Sequence, residues 1–195
     1  MIIGLIETHP DNVLCGRWHR SMARINILLL LRGGDRRTIG KADQVAAIVS
    51  AEPRMFPKLA AGMWSEDPLV RMRAADAIEK VTRKNPVLLR PYKKELLGLM
   101  KGPQEQELRW HLAVIVPRLA LSPRELQLTK ELLCSFLEDR SSIVKTFALQ
   151  GLADLTMKEP SLRSEVVEIL REAARNGTSA MKARSRKLLF ALESD

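Results

Sequence analysis

The chain has 195 residues, of which 46% are hydrophobic and 4% aromatic, with a net charge of +9. That apolar content supports a continuous core and excludes a disordered chain, while the scarcity of aromatic strand formers beside abundant Leu and Ala argues against β-architecture. The basic balance keeps an acidic partner in view, and no stretch approaches the roughly 18 consecutive apolar residues of a membrane span.

Residues 1–21 carry Gly4, Pro10, Gly16 and a His9-Pro10-Asp11-Asn12 cluster. They show no helical or strand period and read either as an irregular arm or as an extension upstream of a start at Met22, with none of the basic start, apolar core and cleavage site of a signal peptide. An apolar run follows, Ile25 to Leu31, and ends at Gly33-Gly34, which must break a helix. The loop Gly33-Gly34-Asp35-Arg36-Arg37 sets arginines beside glycines but lacks the spacing of a phosphate-binding loop. It is expected to be pinned by Asp–Arg contacts and to cap the first helix pair. Residues 1–40 are therefore set apart from 41–195, which read as a single domain.

Ala42 to Ala51 has Val45, Ile48 and Val49 on one helical face, and a second helix is expected from Pro53 to about Trp64. The next stretch, Asp67 to Val81, is the key to the rest. Asp67-Pro68 is a helix start, and Val70, Ala74, Ala77, Ile78 and Val81 fall on one face. Aligning Val70 with Leu108, Val144 and Met181, at separations of 38, 36 and 37 residues, brings apolar or small residues into register in four copies. Asp67, Ser141 and Thr178 stand three residues before their anchors as N-caps, while Glu105 breaks that pattern. Pro86, Pro123 and Pro160 recur after the anchors and are read as first residues of second helices. Pro117, inside the second copy, predicts a kink or an early helix end. The unit is helix, turn, helix, and one such hairpin cannot bury its apolar face without neighbours. The predicted pairs span about 41–65, 67–101, 104–138 and 140–176, with a closing helix at 178–193.

DPLVRMRAADAIEKV, with its Asp-Pro start, Val-Arg pair and later alanines, resembles the first helix of a HEAT repeat. The resemblance covers residues 41–195. The GGDRR segment at Gly33–Arg37, the RWHLA segment at Arg109–Ala113 and the DRSSIV segment at Asp139–Val144 resemble those of small bacterial HEAT-repeat proteins. It implies an all-α fold, a right-handed α-solenoid of stacked antiparallel helix pairs, and gives the fold without assigning an activity.

Three sets of side chains are candidates for function. Arg71, Arg109, Lys145 and Lys182 repeat one residue after each anchor. They are read first as a structural ladder, each pairing with a carboxylate of its own or the adjacent repeat, and second as a track of cations. Residues 67–101 hold nine Lys or Arg against four Asp or Glu, and Arg83, Lys84, Arg90, Lys93 and Lys94 around Tyr92 form a candidate anion- or partner-binding patch. Lys182, Arg184, Arg186 and Lys187 form a second such patch on the last helix. Trp110 and Trp64 are read as packing residues. His111 lacks neighbours at metal-ligand spacing, and no Ser–His–Asp, Cys–His or paired-carboxylate arrangement stands out. Cys15 and Cys134 share no motif; Cys134 is read as a buried apolar residue, and a reducing cytoplasm is expected. No cofactor motif is present, and no signal bears on oligomeric state. The expected function is a non-enzymatic scaffold that binds a protein partner; the runner-up is a nucleic-acid-binding or DNA-repair-related protein using a basic face.

Overall fold

A computed structural model describes residues 26–35, 38–102 and 104–194. The expected arm at 1–21, and Arg36 and Arg37 of the glycine loop, lie outside the described residues. The described residues are mostly helical, with no strand among them. Among the described residues ten α-helices follow one another: α1 (Ile27–Leu30), α2 (Ala42–Ala51), α3 (Phe56–Ala61), α4 (Pro68–Lys84), α5 (Lys93–Lys101), α6 (Gln106–Ile115), α7 (Pro123–Phe136), α8 (Ser142–Thr156), α9 (Arg163–Asn176) and α10 (Ser179–Glu193).

Local chemistry sets the helix ends. Asp67 Oδ1 accepts from the Leu69 amide at 2.9 Å and starts α4. Ser122 and Glu125 form a reciprocal capping box at α7, and Ser141 and Thr178 accept from the amides of Val144 and Met181. Glu105 occupies the cap position of α6 but makes no side-chain cap. Its carboxylate instead accepts from Arg71, 2.8 Å away on α4. Of the three prolines expected to begin second helices, Pro123 does so. Pro86 and Pro160 open 3-10 turns at Pro86–Tyr92 and Pro160–Leu162, ahead of α5 and α9. The second helix of the first pair is likewise split, with 3-10 turns at Pro53–Met55 and Gly62–Trp64 flanking α3. Pro117 ends α6 early, and the chain continues as a 3-10 turn over Val116–Arg118. A proline lacks the N–H of the i→i−4 ladder, so the tighter turn takes over where it stands.

The first helices of successive units, α2, α4, α6, α8 and α10, pack one on the next, while α3, α5, α7 and α9 each pack on the first helix that follows. The seam slots Val70, Ala74, Ala77, Leu112, Ile115, Ala148, Leu152 and Leu155 are almost wholly buried. They belong to one continuous apolar cluster that runs from Ile27 to Leu192. Close approach is built in at Gly151 of α8. A Cβ there would stand 2.2 Å from the Ala113 carbonyl oxygen on α6.

The glycine loop is pinned by Arg73; the expected Asp–Arg contacts involve Arg36 and Arg37, which lie outside the described residues. Arg73, on α4, is 1% exposed. Its guanidinium donates to the carbonyls of Leu31 (2.8 Å), Gly33, Asp35 (2.9 Å) and Thr38 (3.3 Å). Gly33, Gly34 and Gly40 all have positive φ, which lets the backbone wrap a planar fork of donors. At Gly40 a Cβ would lie 2.8 Å from Arg73 Cζ. The loop is thus held by an arginine 40 residues downstream of Gly33, acting on backbone oxygens.

Candidate functional site

The ladder divides into two halves. Arg71 donates to Glu105 at 2.8 Å and to the Ser65 and Glu66 carbonyls. Arg109 forms an ion pair with Asp139, Nε to Oδ2 at 2.7 Å, and also donates to the Gln104 carbonyl. In both cases the carboxylate comes from the segment just ahead of the next first helix. Lys145 and Lys182 make no ion pair among the described residues, which corrects the expectation of a carboxylate at every rung. The residues ahead of α10 are Arg175-Asn176-Gly177-Thr178, with no acid among them. Ser142 and Thr178 meet there through their hydroxyls, at 2.6 Å.

The two basic patches are dispersed. Arg83 donates to Glu79 on its own helix, Nη2 to Oε2 at 2.6 Å. Lys93 is tied to the capping-box carboxylate of Glu125 at 2.7 Å. Bonds from Lys93 and Ser122 hold the Glu125 carboxyl down to about 2. Lys84, Arg90 and Lys94 are exposed, as are Arg186 and Lys187 on α10, and Lys182 is half-buried. Arg184 turns inward, donates to Gln150 Oε1 at 2.7 Å and lies over the Phe147 ring at 5.5 Å.

Arg83 and Arg184 meet in a groove of about 620 Å³ that crosses α4, α6, α8 and α10. Asp76, Glu79, Lys80 and Arg83 contribute from α4; Trp110, Val114 and Arg118 from α6 and the turn after it; Phe147, Gln150 and Asp154 from α8; Arg184 from α10. Trp110 and Phe147 stack at 4.9 Å between centroids, inside the offset-stacking range. Trp110 is therefore both a packing residue and part of the groove.

Most charges in this groove are paired within it. Glu79 accepts from Arg118 as well as Arg83. Burial pulls its carboxyl up, but the bonds from Arg118 and Arg83 outweigh that and hold it below the usual range. Lys80 lies between Asp43 and Asp76, donating to Asp76 Oδ2 at 2.7 Å. Burial lowers the lysine, but those two bonds outweigh it and raise its pKa. Asp76 shares Lys80 with Asp43 and is more deeply buried, so burial wins and pushes its carboxyl up. Asp154 has no ion pair among the described residues. It accepts from Gln150 Nε2 at 2.7 Å, and burial pushes its carboxyl up. Arg184, Gln150 and Asp154 thus form a hydrogen-bonded line along one wall.

Beneath Trp110 lies His111, 1% exposed, with its ring 3.5 Å from the indole centroid. Both ring nitrogens are without a hydrogen-bond partner among the described residues, and burial pushes the imidazole pKa down to about 3. The imidazole is neutral at ordinary pH. No group of three or more His, Cys, Asp or Glu that could hold a metal occurs among the described residues. Cys134 is half-buried, and burial raises its thiol pKa. No helix among them is long and apolar enough to cross a membrane.

The groove was not anticipated from the seam slots. Its signal is a second stripe at offsets 3, 6 and 10 from the anchors: Asp76 and Lys80, Val114 and Arg118, then Phe147, Gln150 and Asp154. At offset 3 the same stripe holds Arg73, His111, Phe147 and Arg184. Comparison with family models, with curated proteins and with solved structures finds no match to this chain.

Proposed function

We propose that this chain is a HEAT-like, right-handed α-solenoid that acts as a non-enzymatic scaffold and binds a protein partner along the groove of α4, α6, α8 and α10. The observation that carries the reading is the make-up of that groove. It offers a stacked aromatic pair and a valine at its centre, with charges of both signs around them. Aromatic anchors ringed by polar groups are what protein interfaces use for affinity, and mixed charge gives register and selectivity.

A duplex would require a surplus of free cations facing its phosphates. The groove lining has four Lys or Arg against three Asp or Glu, and Lys80, Arg83 and Arg118 already engage its carboxylates. Of the nine candidate anion-binding residues, Arg83 and Arg184 alone belong to that lining. This weighs against the nucleic-acid reading.

The test compares the full chain with an Arg83→Glu/Arg184→Glu double variant and a Lys94→Glu control. Each is immobilised in native-cell extract and presented separately with a random DNA duplex at two salt concentrations. A specific protein retained by the parent and the control, and lost with the double variant, is the expected result. Duplex binding at low salt that is abolished by the double variant and weakens steeply with salt would replace this reading with the nucleic-acid one. Retention of the same protein by all three chains would remove the groove as its binding surface.

A further inference from the structure

A second pocket, of about 650 Å³, opens between α8, α9 and α10, away from the groove. Half-buried Ile169 and Met181 give it an apolar wall over the buried Leu149 and Ala173, and Lys145 stands at its rim. Lys145 is the third rung of the basic ladder. At the first two rungs the carboxylate arrives from the segment ahead of the next helix, as Glu105 and Asp139. At the third, that segment supplies only the Thr178 hydroxyl, which bonds Ser142. Lys145 makes no ion pair among the described residues and stands beside that apolar wall, a pairing that suits an apolar chain ending in an anion.

We propose that this pocket binds a small aliphatic carboxylate, with its chain along Ile169 and Met181 and its carboxylate on Lys145. Apolar pockets of this size with a few placed polar groups are the usual form of small-ligand sites. Three glutamates also border it, and their charge is largely answered locally. Glu168 accepts from Arg171 at 2.6 Å. Glu172 accepts from Arg175 at 3.0 Å and from Asn176 at 2.6 Å. Glu138 is exposed, with Arg140 on the same rim. Lys145 is left as the half-buried cation available to an incoming anion.

The test uses the full chain and three probes, octanoate, octan-1-ol and octylammonium, followed through the methyl resonances of Leu149, Ile169 and Met181. Octanoate should shift them saturably, and octylammonium should bind at least about tenfold more weakly. Lys145→Gln should weaken octanoate by about tenfold or more and leave octan-1-ol unchanged, while Lys145→Arg retains octanoate binding. Lys145 is half-buried and unpaired, so these variants should keep the parent's melting temperature. Ile169→Trp, which fills the pocket, should block octanoate independently of charge. Equal affinity for octanoate and octan-1-ol, an unchanged octanoate affinity in Lys145→Gln, or no saturable shift would each overturn the assignment. So would preferential binding of the peptide acetyl-Leu-Leu-Glu-amide, which would make the pocket a docking point for a partner segment. Arg83→Glu/Arg184→Glu should leave octanoate binding intact, so failure here is separate from failure of the groove.

Discussion

Arg73 shows how one side chain can organise a distant segment. It lies inside an otherwise ordinary helix, with Ala74 and Ala77 of the seam close by in sequence. Four carbonyls from residues 31–38 converge on its guanidinium. Removing the fork leaves the buried Leu31 oxygen and three part-buried ones without this donor, and unsatisfied buried polar groups cost more than the net gain of making the bonds. Arg73→Met is expected to lower unfolding free energy by roughly 3 kcal/mol. Arg73→Lys should recover less than half of that, because one ammonium cannot reproduce the planar fork. Urea unfolding of the three chains measures this. A lysine variant as stable as the parent would show that charge alone holds the loop.

At the scale of the helix, two glycines carry opposite expectations. Gly151 sits where α8 meets α6, with the Ala113 carbonyl oxygen in the space a Cβ would need. Gly151→Ala should destabilise by about 2 kcal/mol, although Ala is the better helix former by about 1 kcal/mol. Gly98 lies within α5 with open space at its Cβ. Gly98→Ala should therefore stabilise by up to about 1 kcal/mol. Thermal melts of both variants read the two signs. A stabilising Gly151→Ala would mean that α6 and α8 do not approach this closely.

For the molecule as a whole, acid is the informative stress. His111 titrates near 3 in the folded chain because it is buried, against an ordinary value of 6.5. The unfolded chain therefore takes up a proton between those values that the folded chain refuses. The stability is fully present above about pH 6.5 and is lost as pH falls towards 3. By pH 4 this amounts to roughly 3 kcal/mol. Glu79 acts in the same direction, since its lowered pKa favours the folded state above the usual carboxylate range. Asp76 and Asp154, both raised, act in the opposite direction. His111→Phe should flatten the fall in melting temperature between pH 7 and pH 4. An unchanged slope would place the acid sensitivity elsewhere. Because a single apolar cluster runs from Ile27 to Leu192, that loss should appear as one transition along the described chain.

The sequence by itself determined the helices and their seam. A face of Val, Ala, Leu and Ile at helical spacing can be buried in only one way, and Asp67, Ser141 and Thr178 mark starts because short side-chain oxygens satisfy free amides locally. It also showed the recurring basic slot, but the acids opposite Arg71 and Arg109, Glu105 and Asp139, are placed by the structure. What tertiary structure decided were contacts between residues far apart along the chain. Arg73 reads as a surface cation until the loop at 31–38 closes over it. His111 reads as an isolated polar residue until Trp110 and the neighbouring helices cover it. Asp76, Glu79, Trp110, Phe147, Asp154 and Arg184 become one groove only when four helices align. Local side-chain chemistry fixes where a helix starts and which face is apolar. The partner of a charge on the other face depends on the relative placement of helices, which no single repeat encodes.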